Sequence, residues 1–371
     1  MSKKLAVTAG VAALATGLAA PALAENIYDN GNGGTVNFYG HLNPTFQSFD
    51  DGSERNNTVA DNANANSRIG MDVIQSFGAD SFRFKFETGL GLRSSAGVSQ
   101  SGTPDDLSWD RTDIRHFDFA YQSARFGTFS AGQGSMSSDG AAGADLSGTD
   151  IVQSLFISDS TGGFQFRDTD GNLTGPAIED AFVAYDGSRL GRVRYDSLDM
   201  NGFTFSASYG EEILDSTADF SMYDVTGRYA NENVGAFAVS AALGYGWEDD
   251  AGTKSETLNG SFSMLHKDTG LSFTAAAGQN DDAGDYSYAK VGYTTNLFAA
   301  GATSFGLDIY DGNDTNGPSS NAGSWGIAAV QSFDKANIDA YVGYREYSYD
   351  DNSGSTYKDA SSIMAGAIFK F

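Results

Sequence analysis

Ser81-Phe82-Arg83-Phe84-Lys85-Phe86-Glu87-Thr88-Gly89-Leu90 decides the fold. Successive side chains of a strand point to opposite faces. Phe82, Phe84 and Phe86 therefore share one face, and Arg83, Lys85 and Glu87 share the other. A helix, at about 3.6 residues per turn, would scatter the phenylalanines around its circumference. The stretch predicts a strand that is apolar outside and charged inside.

The same rhythm recurs on both sides. In Thr35 to Asn43, Val36, Phe38 and Leu42 oppose Asn37, Tyr39, His41 and Asn43. In Asn66 to Gln75, Ile69, Met71 and Val73 oppose Arg68 and Asp72. Further alternating segments fall at Thr112 to Gln122, at Arg125 to Gln133, and near 189–197, 202–210, 221–230, 234–247, 256–266, 270–279 and 286–294. The last four fall near 299–310, 323–333, 337–349 and 360–371, which makes sixteen in all. An even count is what a single-chain bacterial membrane barrel requires, and about 9–11 residues cross a bilayer when tilted. Connections alternate between short turns, such as Asp199-Met200-Asn201 and Asp334-Lys335-Ala336, and longer acidic loops. The loops carry Asp50-Asp51, Asp105-Asp106, Asp249-Asp250, Asp281-Asp282 and Asp350-Asp351. Pro104, Pro176 and Pro318 fall in loops; Pro44, inside the first strand, predicts a bulge or an early strand end.

Composition agrees. The 371 residues include 26 Phe and 18 Tyr but only 19% charged residues. A soluble sandwich would have to turn its Phe-rich faces on one another, whereas a membrane barrel presents them to lipid. Lys3-Lys4, an apolar run from Leu5 to Leu18 and Ala22-Leu23-Ala24 read as a signal peptide over residues 1–24, cleaved before Glu25. No later run approaches the ~18 apolar residues of a membrane helix. The sequence has no cysteine, which excludes disulfides, thiol nucleophiles and Cys-ligated metals. A net charge of −26 argues against nucleic acid and favours cations at any internal surface.

From Gly134 to about Ser188 the alternation fails, and Asp139, Asp145, Asp150, Asp159, Asp168, Asp170, Glu179, Asp180 and Asp186 accumulate. A connection that long is functional or hides structure of its own. It is expected to fold into the lumen of an all-β transmembrane antiparallel barrel and to narrow a pore.

Several stretches carry a family resemblance: Ser67-Arg68-Ile69-Gly70; Arg115 through Phe126-Gly127-Thr128-Phe129-Ser130-Ala131-Gly132-Gln133; Arg192-Val193-Arg194-Tyr195-Asp196-Ser197 with Asn201-Gly202-Phe203; and Ile363 to Phe371. The whole mature chain resembles a Gram-negative general diffusion porin, most like the sixteen-stranded trimeric type of alphaproteobacteria. The resemblance implies an outer-membrane channel for ions and small hydrophilic solutes, lying among outer-membrane lipids and lipopolysaccharide. It also implies a homotrimer, and recognition of the terminal Phe371 by the outer-membrane assembly machinery. It implies an acidic loop, represented by Asp139, Asp145 and Asp150, facing a basic wall of Arg68, Arg83, Lys85, Arg115, Arg192 and Arg194. His41 takes the position of a further wall base. Simple alternation puts Arg115 on the face of Phe117 and Phe119, so its place on the wall requires a bulge or a position beyond the lipid band. With the acidic loop, mild cation preference is expected.

The three histidines, His41, His116 and His266, lie in separate strands, and nothing singles out a catalytic group. No cofactor is required, and no enzyme activity is expected. Asp168-Thr169-Asp170-Gly171-Asn172 holds a fragment of a calcium-loop pattern without its later glutamate, which leaves Ca²⁺ at Asp168 and Asp170 as a candidate. Rival readings are a substrate-specific channel, and an adhesion barrel working through its acidic outer loops.

Overall fold

The computed structural model describes residues 26–351 and 353–371; the predicted signal peptide lies outside them. Strand β1 runs as Gly34–Leu42 and Pro44–Asp50, and β2 as Arg55–Asp61 and Arg68–Phe77. Next come β3 (Asp80–Gly89), β4 (Ile114–Ser123), β5 (Gly127–Ser135) and β6 (Arg189–Asp196). They are followed by β7 (Phe203–Glu211), β8 (Phe220–Val234), β9 (Phe237–Asp250), β10 (Thr253–His266) and β11 (Leu271–Asn280). The chain ends with β12 (Gly284–Phe298), β13 (Gly301–Asn313), β14 (Asn321–Phe333), β15 (Ile338–Asp350) and β16 (Ala360–Lys370).

Each strand pairs antiparallel with its neighbours, and β16 returns to β1, closing a sixteen-stranded barrel. Where β16 ends, Asn26–Asp29 takes up the same edge of β1, pairing with Phe38 to Thr35. Closure matters because an unpaired backbone group in lipid costs several kcal/mol. The outward face is apolar all round: Phe82, Phe117, Phe119, Phe205, Leu243, Val291 and Ile309 are all exposed. Such a belt is stable only against lipid.

Two departures from the sequence reading share one cause. At Pro44 the first strand was expected to bulge or end early, and the second strand to begin at Asn66; the first is only interrupted, and both continue to the turn at 51–54. Likewise the acidic pairs at 249–250 and 281–282 sit at tight turns rather than in long loops: a 14-residue strand carries pairing through 249–250, and 281–282 lie in the short turn between strands ending at Asn280 and starting at Gly284. Beyond the lipid a strand is polar on both faces, so its alternation vanishes while its hydrogen bonds persist. Pro44 points outward with parity intact, and the interruption falls one residue earlier, at Asn43. There residues 62–67 of β2 bulge inward, and Asn62 N–H donates to the Asn43 carbonyl at 3.0 Å.

The connection from β5 to β6 lies inside the barrel. It holds two short helices, Ile157–Thr161 and Ile178–Ala181, and a hairpin of Gln165–Arg167 with Leu173–Ala177. It follows the inner wall from β7 round to β1. Ser138 N–H donates to Asp224 on β8 at 2.6 Å, Leu146 N–H to Ser263 on β10 at 2.9 Å, and Gln153 to the Gly326 carbonyl on β14 at 2.8 Å. Asn62 holds the Ile151 carbonyl at 2.8 Å and Thr161 donates to Tyr347 on β15 at 3.0 Å. Apolar packing adds to this: Phe164 stacks on Phe49 with ring centroids 4.2 Å apart, and Phe182 lies against Tyr310 and Tyr347. Glycines on the inward face make room. A Cβ at Gly292 would come within 2.8 Å of Ser147 Cβ, and one at Gly343 within 2.8 Å of a Val152 methyl.

Candidate functional site

The lumen face of β2 to β6 carries the bases. Strand parity turns Arg68, Arg83, Lys85, Arg192 and Arg194 inward, and each finds a carboxylate on the same wall. Arg83 Nε lies 2.7 Å from Asp72, and Arg194 2.6 Å from Asp196. Arg192 lies 2.8 Å from Asp118; it is buried and also donates to the Ser135 and Gly132 carbonyls. Arg194 further donates to the Met136 carbonyl at 2.6 Å, at the point where the loop leaves β5.

Glu87 is the hub of the group. Its carboxylate accepts from Arg115 Nε and from the Tyr39 hydroxyl, each at 2.8 Å. Arg68 lies 3.6 Å from it and Lys85 3.8 Å. Arg115 reaches this position through a β-bulge. The β3–β4 register pairs Glu87 with His116 but Thr88 with Ile114, which leaves Arg115 as the extra residue. Arg115 and His116 therefore both face inward, while Phe117 and Phe119 keep their outward places. His41 faces inward too, with Nε2 2.9 Å from the Asn66 carbonyl.

The loop acids divide by what holds them. Asp139 lies 3.4 Å from Arg189, and Asp145 lies 2.7 Å from Lys290 of β12, a lysine with no exposed side-chain surface. Asp186 accepts from the Gly140 and Ala142 N–H groups at 2.6 and 2.9 Å, tying the loop's end to its start. Burial and then the neighbouring Asp139 push it up to about 7. Asp168 accepts from Asn172 N–H and the Thr174 hydroxyl at the hairpin tip, and Asp170 beside it is exposed. No group of three or more His, Asp or Glu suited to a metal occurs among the described residues.

Asp150 and Asp159, unlike Asp139 and Asp145, have no cation within 4 Å among the described residues, as is true also of Asp168, Asp170 and Asp186. Asp150 is exposed to the lumen although the barrel encloses it; that enclosure, and then Asp145, push its carboxyl up to about 6. Burial likewise pushes Asp159 up to about 6, while the charges of Arg115 and Arg189 across the lumen act the other way.

Asp159, Arg189 and Glu87 were not among the residues singled out for the site. Glu87 had the right parity in β3 but stood among bases. Arg189 sits at a strand start where parity carries no signal, and Asp159 was one acid among nine.

A family model for the Gram-negative porins matches residues 6–352. The chain belongs to the Gram-negative porin family. This porin is thus an outer-membrane transport protein, and the family points to a diffusion channel rather than an enzyme, with no cofactor needed. Solved structures agree on the fold. The anion-selective porin from Comamonas acidovorans is 13% identical with a TM-score of 0.58, covering 91% of this chain and 100% of its own. Salmonella typhi OmpF, in complex with daunomycin, is 15% identical with a TM-score of 0.59, covering 92% and 99%. OmpT of Vibrio cholerae is 16% identical with a TM-score of 0.57, covering 93% and 100%. No curated protein matches the sequence.

Proposed function

We propose that this porin is a passive, mildly cation-preferring channel for ions and small hydrophilic solutes, constricted between its inward loop and the β2–β6 wall. The observation that carries the reading is the imbalance of pairing. Arg68, Arg83, Lys85, Arg115, Arg189, Arg192 and Arg194 all have carboxylate neighbours, whereas Asp150 and Asp159 have no cation within 4 Å among the described residues. A solute crossing here meets uncompensated carboxylates on one side and, on the other, a basic wall whose seven cations are partly neutralised by five carboxylates, three of the cations sharing Glu87. Its dipole aligns in that transverse field, and apolar solutes must give up ordered water. Of the loop acids, Asp150 and Asp159 set the preference, while Asp139 and Asp145 hold the loop. Calcium at Asp168 and Asp170 is no part of this reading.

Residues 1–24 direct export and are removed, Phe371 serves barrel assembly, and the molecule works as a homotrimer among lipid and lipopolysaccharide. A trimer form is described for the Vibrio cholerae OmpT, and chemical cross-linking of the detergent-extracted protein tests it here. The decisive experiment is reversal potential in planar bilayers under a KCl gradient. Cation preference is expected; anion preference would overturn the reading.

A further inference from the structure

We infer that Glu87 is a specificity-determining residue, the counter-charge within the basic wall that keeps this channel from preferring anions. The inference rests on the constriction reading above. Glu87 is a carboxylate on a strand otherwise presenting Arg83 and Lys85 to the lumen, and its side chain is only 7% exposed. Three cations converge on it from three strands: Arg68 of β2 at 3.6 Å, Lys85 of β3 at 3.8 Å and Arg115 of β4 at 2.8 Å. Tyr39 of β1 donates its hydroxyl to the other oxygen at 2.8 Å. The bulge that turns Arg115 inward falls directly opposite Glu87, so the backbone irregularity delivers a cation to this carboxylate.

The geometry leaves the cations accessible and the anion hidden. Arg68, Lys85 and Arg115 keep 16%, 20% and 20% of their side-chain surface, all more than Glu87 keeps. Arg189, 33% exposed, adds its charge to the same group from β6. Ions in the lumen therefore touch guanidinium and ammonium groups whose field is partly cancelled from behind. Without Glu87, Arg68, Lys85, Arg115 and Arg189 would have, among the described residues, only Asp139, beside Arg189, as a carboxylate within 4 Å. A cluster of that kind binds carboxylate- or phosphate-bearing solutes by charge-assisted hydrogen bonds. Glu87 thus sets the sign of the wall without itself meeting the solute.

The test is Glu87→Gln, which keeps the shape and an acceptor for Tyr39. Reversal potential is measured on the full refolded protein under a KCl gradient, with single-channel conductance recorded alongside. The cation-to-anion permeability ratio is expected to fall about two- to threefold, the effect of one unit charge acting through water in a salt-screened lumen. Conductance blocked by millimolar citrate in the variant and not in the parent would support the exposed-cation part. An unchanged ratio in Glu87→Gln, with a ratio raised in Arg115→Gln, would overturn the role of Glu87 and leave the constriction reading standing. Unchanged ratios in both variants would overturn the constriction reading itself. If Glu87→Gln fails to fold, Glu87→Asp, which draws the charge back from Arg115, is expected to lower the ratio in the same direction, and no change there would count against the inference.

Discussion

The two sides of the lumen obey the same strand parity and come out opposite in character. On β2 to β6 the inward residues include the basic cluster, partly accessible except for Arg192, with Glu87, Asp72 and Asp118 set among the bases as their carboxylate partners. From β7 to β16 they are mostly serine, threonine, glycine and tyrosine, with charged ones such as Asp224, Arg228, Lys290, Asp308 and Arg345 tied to the loop or to one another, and the loop covers much of this face: Tyr286, Tyr310 and Tyr347 are nearly inaccessible. Alternation specifies only that a side chain faces in. Whether it meets water or another part of the chain is decided by where the loop lies, and the loop lies where small residues leave space and tyrosines offer apolar surface. One side is an electrostatic surface and the other a mounting.

If that contrast holds, substitutions on the mounting side act on loop position, and the largest effect should come from its apolar staple. Phe164→Ala removes a ring stacked between the loop and Phe49 of β1, at a cost of about 4 kcal/mol for a buried aromatic. The loop should loosen and trypsin should cleave after Arg167, which now binds Asp51 and Glu54. Resistance equal to the parent would mean that the loop is held by its polar contacts alone.

The ionic staple ranks next. Lys290→Met leaves the Asp145 carboxylate unpaired inside the wall, and removing one partner of a buried pair costs about 3 kcal/mol. Broadened conductance levels and more frequent closures are expected, with selectivity little changed. Adding Asp145→Asn should recover most of the loss. A double variant as impaired as Lys290→Met would show that the pair is not the unit that matters.

Much of this was legible in the sequence. The Phe82-to-Glu87 rhythm, the even strand number and the acidic interruption all reduce to period-two burial, which one strand reveals by itself. The failure of alternation marks the loop, and its place in the lumen was what its position after the fifth strand implied through the family resemblance. What alternation could not reveal depends on pairs of strands. Arg115 turns inward because β4 has one residue more than β3 at that level, a fact of register with no signature in either strand. Asp145 looked like a pore-lining acid because Lys290, its partner, lies 145 residues away. Residues 55–61 escaped because Arg55 and Asn57 lie above the lipid, so that segment does not show polar-in, apolar-out alternation.

On the electrostatic side the effects should be smaller and should appear in selectivity. Arg115→Gln removes a wall charge and should raise the cation-to-anion ratio, while Asp159→Asn removes a loop charge and should lower it. Each is expected to change the ratio about two- to threefold, the effect of one charge acting through water in a salt-screened lumen. Reversal potentials moving the same way in both variants would break the assignment of opposite signs to the two faces.

A last effect needs no mutation. Burial holds Asp150 and Asp159 up to about 6, well above the usual carboxylate range. A carboxyl is neutral below its pKa and charged above it, so both groups are largely protonated at pH 5 and ionised at pH 7.5. Arginine and lysine keep their charge throughout that interval. Cation preference should therefore rise as pH is raised from 5 to 7.5, with most of the change centred near 6. Protonation of histidine on the wall would act in the same direction, so the control is Asp150→Asn with Asp159→Asn together. That double variant should lose the pH dependence of the reversal potential and hold the low-pH value throughout. A dependence that survives both substitutions would place the titrating charge either on Asp186, whose carboxyl burial pushes up to about 7, or on the wall, and only in the second case, with Asp186→Asn also leaving the dependence in place, would the contrast between the two faces have to be redrawn around His41 and His116.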